Sequence, residues 1–139
     1  MRIHAIALAT LLLAGTAGAC DLRIETAWIR TPPPQATTLA GYATLVNTGK
    51  AERRVVAAQS TLADRVMLHA TQMHGGMAMM RDMPEIRVPA GSKVELAPGG
   101  MHLMLMGPKS ALRAGDHVTI TLVDDTGCRV NGDFSVQTR

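Results

Sequence analysis

The segment PGGMHLMLMG, residues 98–107, predicts a β-strand that starts directly after a glycine turn. Successive side chains of a strand point to opposite faces, so Leu103 and Leu105 share one face, and His102 and Met104 share the other. The leucine face can line an apolar core. The opposite, non-core face then carries an imidazole and a thioether side by side, close enough to share one metal ion.

The remainder of the chain predicts an all-β fold. Apolar or β-branched runs alternate with turn residues, and no long stretch has a helical period. Short strands spaced by about ten residues are typical of a Greek-key β-barrel or sandwich. The predicted strands are 22–30, 40–46, 53–59, 65–70, 77–83, 94–96, 101–106, 117–123 and 129–136.

Residues 1–19 have the organisation of a signal peptide. An apolar run at 6–14 is followed by Ala17-Gly18-Ala19, the small-x-small pattern of a cleavage site. A retained membrane anchor is the less favoured alternative, because the run is too short to span a bilayer. We therefore expect one exported domain at 20–139, cleaved after Ala19 and located in the periplasm of a Gram-negative cell.

The two cysteines, Cys20 and Cys128, lie near the ends of the expected mature chain. An exported protein permits a disulfide, and the termini of a domain are often close together. The alternative is a lipidated Cys20, but the lipidation motif normally has leucine where this chain has Ala17. The sequence favours a Cys20–Cys128 disulfide and leaves lipidation open.

Composition excludes several functions. The chain has 14 basic and 11 acidic residues in scattered order, and only one Trp, one Tyr and one Phe. Nucleic acid is therefore not an expected partner. No serine lies in a nucleophile motif, and no carboxylate pair accompanies the histidines, so we do not expect an enzyme.

Methionine and histidine concentrate in one window. Nine of the ten methionines and three of the five histidines lie at 67–106, which contains no cysteine. On the strand at 65–70, alternation places His69 and Met67 opposite the apolar face. At 77–80, Met77 and Met79 share a side and Met80 takes the other, so periodicity leaves open which methionine reaches a metal.

The competing interpretation is packing. Methionine commonly fills irregular gaps in a core or forms an adaptable binding surface, and Met73, Met83 and Met101 are each interpreted in that way. A metal-free interaction module with a methionine-rich surface is the corresponding function. The His102-x-Met104 pair favours the metal, because packing alone does not explain an imidazole and a thioether together on a non-core face.

The donor set indicates which metal. Structural zinc sites use Cys, His and carboxylate ligands, and a blue-copper centre needs a cysteine thiolate. Thioethers combined with imidazoles favour Cu(I). Thioethers also cannot be lost to disulfides in an oxidising compartment.

The spacing His69-x10-Met80-x21-His102-x-Met104 resembles the signature of the periplasmic copper A chaperone (PCuAC) family. The likeness extends along nearly all of the expected mature chain. Further matching segments are Ala27-Trp28-Ile29-Arg30, the prolines that follow, Gly41-Tyr42, Asn47-Thr48-Gly49, the block at 98–107, Leu112 and Gly115-Asp116.

The resemblance implies a cupredoxin-like Greek-key β-barrel that binds one Cu(I) through His69, Met80, His102 and Met104. It further implies a monomeric copper chaperone. The expected acceptors are the copper A subunit of cytochrome c oxidase or Sco-type proteins. A periplasmic copper buffer or resistance protein using the same site is the alternative.

Three further donors, His74, Met77 and Met79, lie close to this motif in the sequence. They could assist the capture of copper, but an exposed loop with adaptable packing is the preferred interpretation. Their role stays open at this stage.

Overall fold

A computed structural model describes residues 20–139, and the predicted signal peptide lies outside them. The described residues form ten β-strands and no helix, which confirms the all-β prediction. Among them, no helix is long and apolar enough to cross a membrane. The strands are β1 (Leu22–Arg30), β2 (Thr38–Asn47), β3 (Arg53–Gln59), β4 (Ala63–His74), β5 (Met77–Asp82), β6 (Ile86–Val88), β7 (Lys93–Leu96), β8 (Met101–Pro108), β9 (His117–Asp124) and β10 (Arg129–Gln137).

Seven strands close a barrel in the order β4-β8-β2-β1-β10-β9-β3. The ring is closed where β3 meets β4, with Ala58 opposite Val66. The first and last strands, β1 and β10, run parallel to each other. Strands β5, β6 and β7 extend this ring by pairing with β4, β3 and β2, respectively. Closure leaves fewer free strand edges, which is how antiparallel proteins avoid association through their edges.

The interior of the barrel is filled by alternate side chains of its strands. Leu103 and Leu105 of β8 are fully buried in this core, as their alternation predicts. They pack in the same cluster as Phe134 from β10 and Ile29 from β1. Met83 and Met101 pack against the edge of the cluster, in agreement with their interpretation as packing residues. Met73 is different, because 66% of it is exposed and it fills no gap in the core.

The predicted strands differ from the structure in two main places. They omit β6, because Pro89 and Gly91 after Val88 are typical of a turn, yet Ile86 and Val88 are buried and pair with β3. Strand β4 continues four residues beyond its predicted end, to His74. It does so because β5 folds back on it and supplies hydrogen-bond partners beyond the end of the barrel.

The predicted disulfide joins Cys20 to Cys128, with their Cα atoms 5.9 Å apart. It ties Cys20, two residues before β1, to Cys128, directly before β10, and 108 positions separate the two cysteines in the sequence. A cross-link over so long a loop removes much conformational freedom from the unfolded chain.

Replacing both cysteines, Cys20→Ser with Cys128→Ser, is expected to lower the free energy of unfolding by about 2–4 kcal/mol, because the unfolded chain regains loop entropy. Guanidinium denaturation of the mature protein measures this loss. Adding a reductant should produce the same loss in the wild type. It should leave the stability of the double variant unchanged. Equal stability of the variant and the oxidised wild type would contradict the role assigned to the disulfide.

Candidate metal centre

The candidate centre is built first by the pairing of β4 with β8. This register sets His69 opposite His102 and Met67 opposite Met104. Directly opposed residues of antiparallel strands lie on the same face of the sheet, a few ångströms apart. The two imidazole rings meet edge to face, with centroids 5.7 Å apart and planes at 84°. Three of the four predicted ligands are therefore neighbours on one face.

The fourth predicted ligand, Met80, reaches that face through the β4–β5 hairpin. Met80 pairs with Thr71, which is two residues from His69 and points to the same side of β4. Met77 and Met79 are out of phase with Met80 and occupy the other face of the hairpin. Register therefore places Met80, and neither Met77 nor Met79, on the face of His69.

The exposed fraction differs sharply among three of the four predicted ligands. His102 is 3% exposed and Met104 8%, whereas Met80 is 61% exposed. The non-core assignment of His102 and Met104 holds, because neither belongs to the core cluster. A second layer of side chains nevertheless buries them on that side. The alternation of side chains within β8 cannot reveal this layer, because the layer is formed by residues of other strands.

Part of that layer is an aromatic row. Tyr42 of β2 lies 6.3 Å from the His102 ring, centroid to centroid, and Trp28 of β1 lies 4.6 Å beyond Tyr42. The guanidinium carbon of Arg139 is 4.8 Å from the Trp28 ring centroid. The sequence relates Trp28 and Tyr42 only to the family pattern and carries no signal of their position beside the site. Their neighbours depend on the order of β1, β2 and β8 in the barrel.

One hydrogen bond orients His102 for ligation. Its Nδ1 lies 3.2 Å from the carbonyl oxygen of Gly100. A carbonyl can only accept, so Nδ1 carries the proton and the lone pair resides on Nε2. That Nε2 is buried without a hydrogen-bond partner. A buried lone pair without a partner is costly in a folded protein and is typical of a ligand position.

His69 has the same feature. Its Nδ1 is buried without a hydrogen-bond partner. The Asp82 carboxylate lies 2.7 Å from its Nε2 and is a charged neighbour of the ring. Asp82 was not identified from the sequence. Its position two residues after Met80 on an alternating strand was the available signal.

The electrostatic environment favours a neutral His102. Burial lowers the pKa of His102 below its usual 6.5, and the nearby His69 lowers it further, against the opposing effect of the Gly100 carbonyl. A histidine must be neutral to ligate a metal, so this shift keeps the ring available at neutral pH.

The donor chemistry of the cluster is soft. Within residues 20–139, no group of three or more His, Cys, Asp or Glu side chains is arranged to hold a metal ion. The donors that strand pairing brings to this face are two imidazoles and two thioethers, a set that suits a soft monovalent ion better than zinc.

Residues 22–136 match a protein family described as "Putative lipoprotein LpqE-like". The chain belongs to this LpqE-like family. It is also 37% identical over 102 residues to "Putative lipoprotein Lxx21020" from Leifsonia xyli subsp. xyli. That match covers 73% of the chain but only 60% of the relative, so the LpqE-like chain spans less than two thirds of the relative's length.

Solved structures similar to the LpqE-like chain include PCuAC domains. The copper-bound PCuAC domain from PmoF2 is 25% identical with a TM-score of 0.72, over 86% of this chain and 94% of that domain. The structure of CuI-DR1885 from Deinococcus radiodurans is 35% identical with a TM-score of 0.67, over 91% of this chain and 86% of that one. The predicted cupredoxin-like barrel is thereby confirmed.

Acid is expected to destabilise the protein through His102. Its pKa is lower in the folded than in the unfolded chain, so the unfolded state binds more protons as pH falls below about 6.5, and the free energy of unfolding decreases. Urea denaturation of the metal-free protein at pH 7.5 and pH 5 measures the loss. The variant His102→Gln should lose less stability over this range. Because His69 and Asp82 remain in both proteins, an equal loss would exclude His102 as the source.

Proposed function

We propose that this LpqE-like protein binds one Cu(I) ion through His69, Met80, His102 and Met104 and passes it to copper-accepting proteins. The observation that carries the proposal is the pair of facing imidazoles, each with one buried ring nitrogen, Nε2 of His102 and Nδ1 of His69, that lacks a hydrogen-bond partner. Two thioethers lie on the same face of the sheet, Met104 on the same strand as His102 and Met80 on β5, next to the strand of His69. Imidazole and thioether together favour Cu(I) over the other common metals.

Homology supports copper as the cargo. Of the similar structures, one is a copper-bound PCuAC domain and another contains Cu(I). The second is 35% identical to this chain, which makes a shared ligand chemistry a reasonable inference.

The exposure pattern suits transfer better than permanent retention. His102 and Met104 are buried, so they are held in place by the barrel, whereas Met80 lies on an exposed hairpin. We infer that a donor from the acceptor displaces Met80 first. All four ligands are neutral, so the bound ion keeps its positive charge and attracts an incoming thiolate.

The cellular role follows from the same chemistry. We propose export to the periplasm after cleavage at Ala19, with Cys20 used in the disulfide and not for lipid attachment. The proposed acceptors are the copper A subunit of cytochrome c oxidase or Sco-type proteins. We propose that the protein acts as a monomer and has no enzymatic activity.

Cu(I) affinity is the first quantity to measure, by competition with a chromophoric chelator under anaerobic conditions. Met80→Ala and His102→Ala should each weaken the tight equivalent by at least about tenfold, because loss of a ligand should cost no less than loss of an outer-shell partner. Met73→Ala is the matched control, since this methionine is similarly exposed on the same hairpin and is not a proposed ligand. If Met80→Ala and His102→Ala bind Cu(I) as tightly as the wild type, the assignment of these ligands is refuted.

Transfer is tested separately from binding. The Cu(I)-loaded protein should deliver its ion to a purified copper A domain or Sco-type protein faster than it releases the ion to a chelator, because direct exchange never frees the ion. Stopped-flow absorbance at increasing acceptor concentration measures both rates. Tight binding with transfer no faster than spontaneous release would indicate a copper buffer and would refute the chaperone role.

A further inference from the structure

The tip of the β4–β5 hairpin presents a second set of soft donors on its other face. There His74 pairs directly with Met77, and Gln72 pairs with Met79. The three donors His74, Met77 and Met79 therefore lie on one side of the hairpin, opposite the side that carries Met80. This set is separate from the four proposed ligands.

The hairpin turn holds the opposed pair in register. Gly75 and Gly76 have φ values of 56° and 83°, and two consecutive positive φ values are characteristic of the tight turn that joins two-residue hairpins. His74 and Met77 flank this turn on the two strands. Their Cβ atoms are consequently about 4.5–5.5 Å apart, a separation that the side chains of His and Met can bridge with an ion between them.

The composition of this face is hard to explain by packing. All six residues of β5 are exposed, and Met77 and Met79 are 70% and 55% exposed. Edge strands are usually protected by lysine or proline, and exposed apolar side chains at an edge favour aggregation. Methionine is also not among the residues that strands prefer. Two methionines beside a histidine at such an edge therefore point to the chemistry of their sulfur atoms.

We propose that His74, Met77 and Met79 form a second Cu(I) site at the hairpin tip. Met79 lies two residues beyond Met77 on the same face of β5, about 7 Å further along the strand, within reach of an unbranched flexible side chain. One imidazole and two thioethers provide a three-donor site of the class that selects Cu(I).

This second site is weaker than the first and exchanges its ion rapidly. Its side chains are exposed, so they lose rotamer freedom only when the ion binds, whereas His102 and Met104 are already held by burial. No residue is shared between the sites, so either can be lost without the other.

The experiment is an anaerobic Cu(I) titration of the mature protein against a weak chelator, followed by NMR of ¹³C-methyl-labelled methionine. The wild type should take up two equivalents, and the second should shift the methyl signals of Met77 and Met79. The triple variant His74→Ala, Met77→Ala, Met79→Ala should retain the tight equivalent and lose the second. The triple variant is expected to fold normally, because all three side chains lie outside the core.

Two controls separate the possible outcomes. Met73→Ala removes an equally exposed methionine from the other face of the same hairpin and should leave both equivalents in place. His102→Ala should lose the tight equivalent and retain the second. A wild type that binds one equivalent only, or a second equivalent that survives in the triple variant, would overturn the proposal.

Discussion

The pairing of β4 with β8 is the constraint on which the rest of the structure depends. The same register that puts Leu68 and Leu103 together inside the barrel puts His69 and His102 together outside it. A slip of one residue would exchange the faces of every side chain on the strand, placing imidazoles in the core and leucines at the surface. The apolar core therefore enforces the geometry of the candidate metal centre, and the two cannot vary independently.

The centre joins a rigid part of the molecule to an exposed one. Strands β4 and β8 have partners on both sides within the barrel, whereas β5 pairs with β4 alone. Segments with few buried contacts open at lower free energy than the strands of a core. The proposed ligand set, divided in this way, would hold an ion on the barrel side and leave the hairpin side accessible to a partner.

Outer contacts prepare the histidines before any ion arrives. The Gly100 carbonyl selects the tautomer of His102, burial keeps that ring neutral, and Tyr42 lies along its side. Asp82 supplies a negative charge next to His69. The glycine turn at 99–100 therefore both begins β8 and positions the imidazole two residues later, so the local backbone and the site chemistry share one element.

The sequence by itself determined the fold class, most strands and the two faces of β8, because alternation in a strand is a local property set by adjacent residues. It also identified the histidines and methionines as candidate donors for a soft metal, since the chemistry of a side chain does not depend on folding. Only the tertiary structure decided that β4 lies against β8, that Met80 and not Met79 shares the face of His69, and that His102 is buried beside Tyr42. Those facts depend on register and strand order, which arise from the closing of the barrel by residues far apart in the chain.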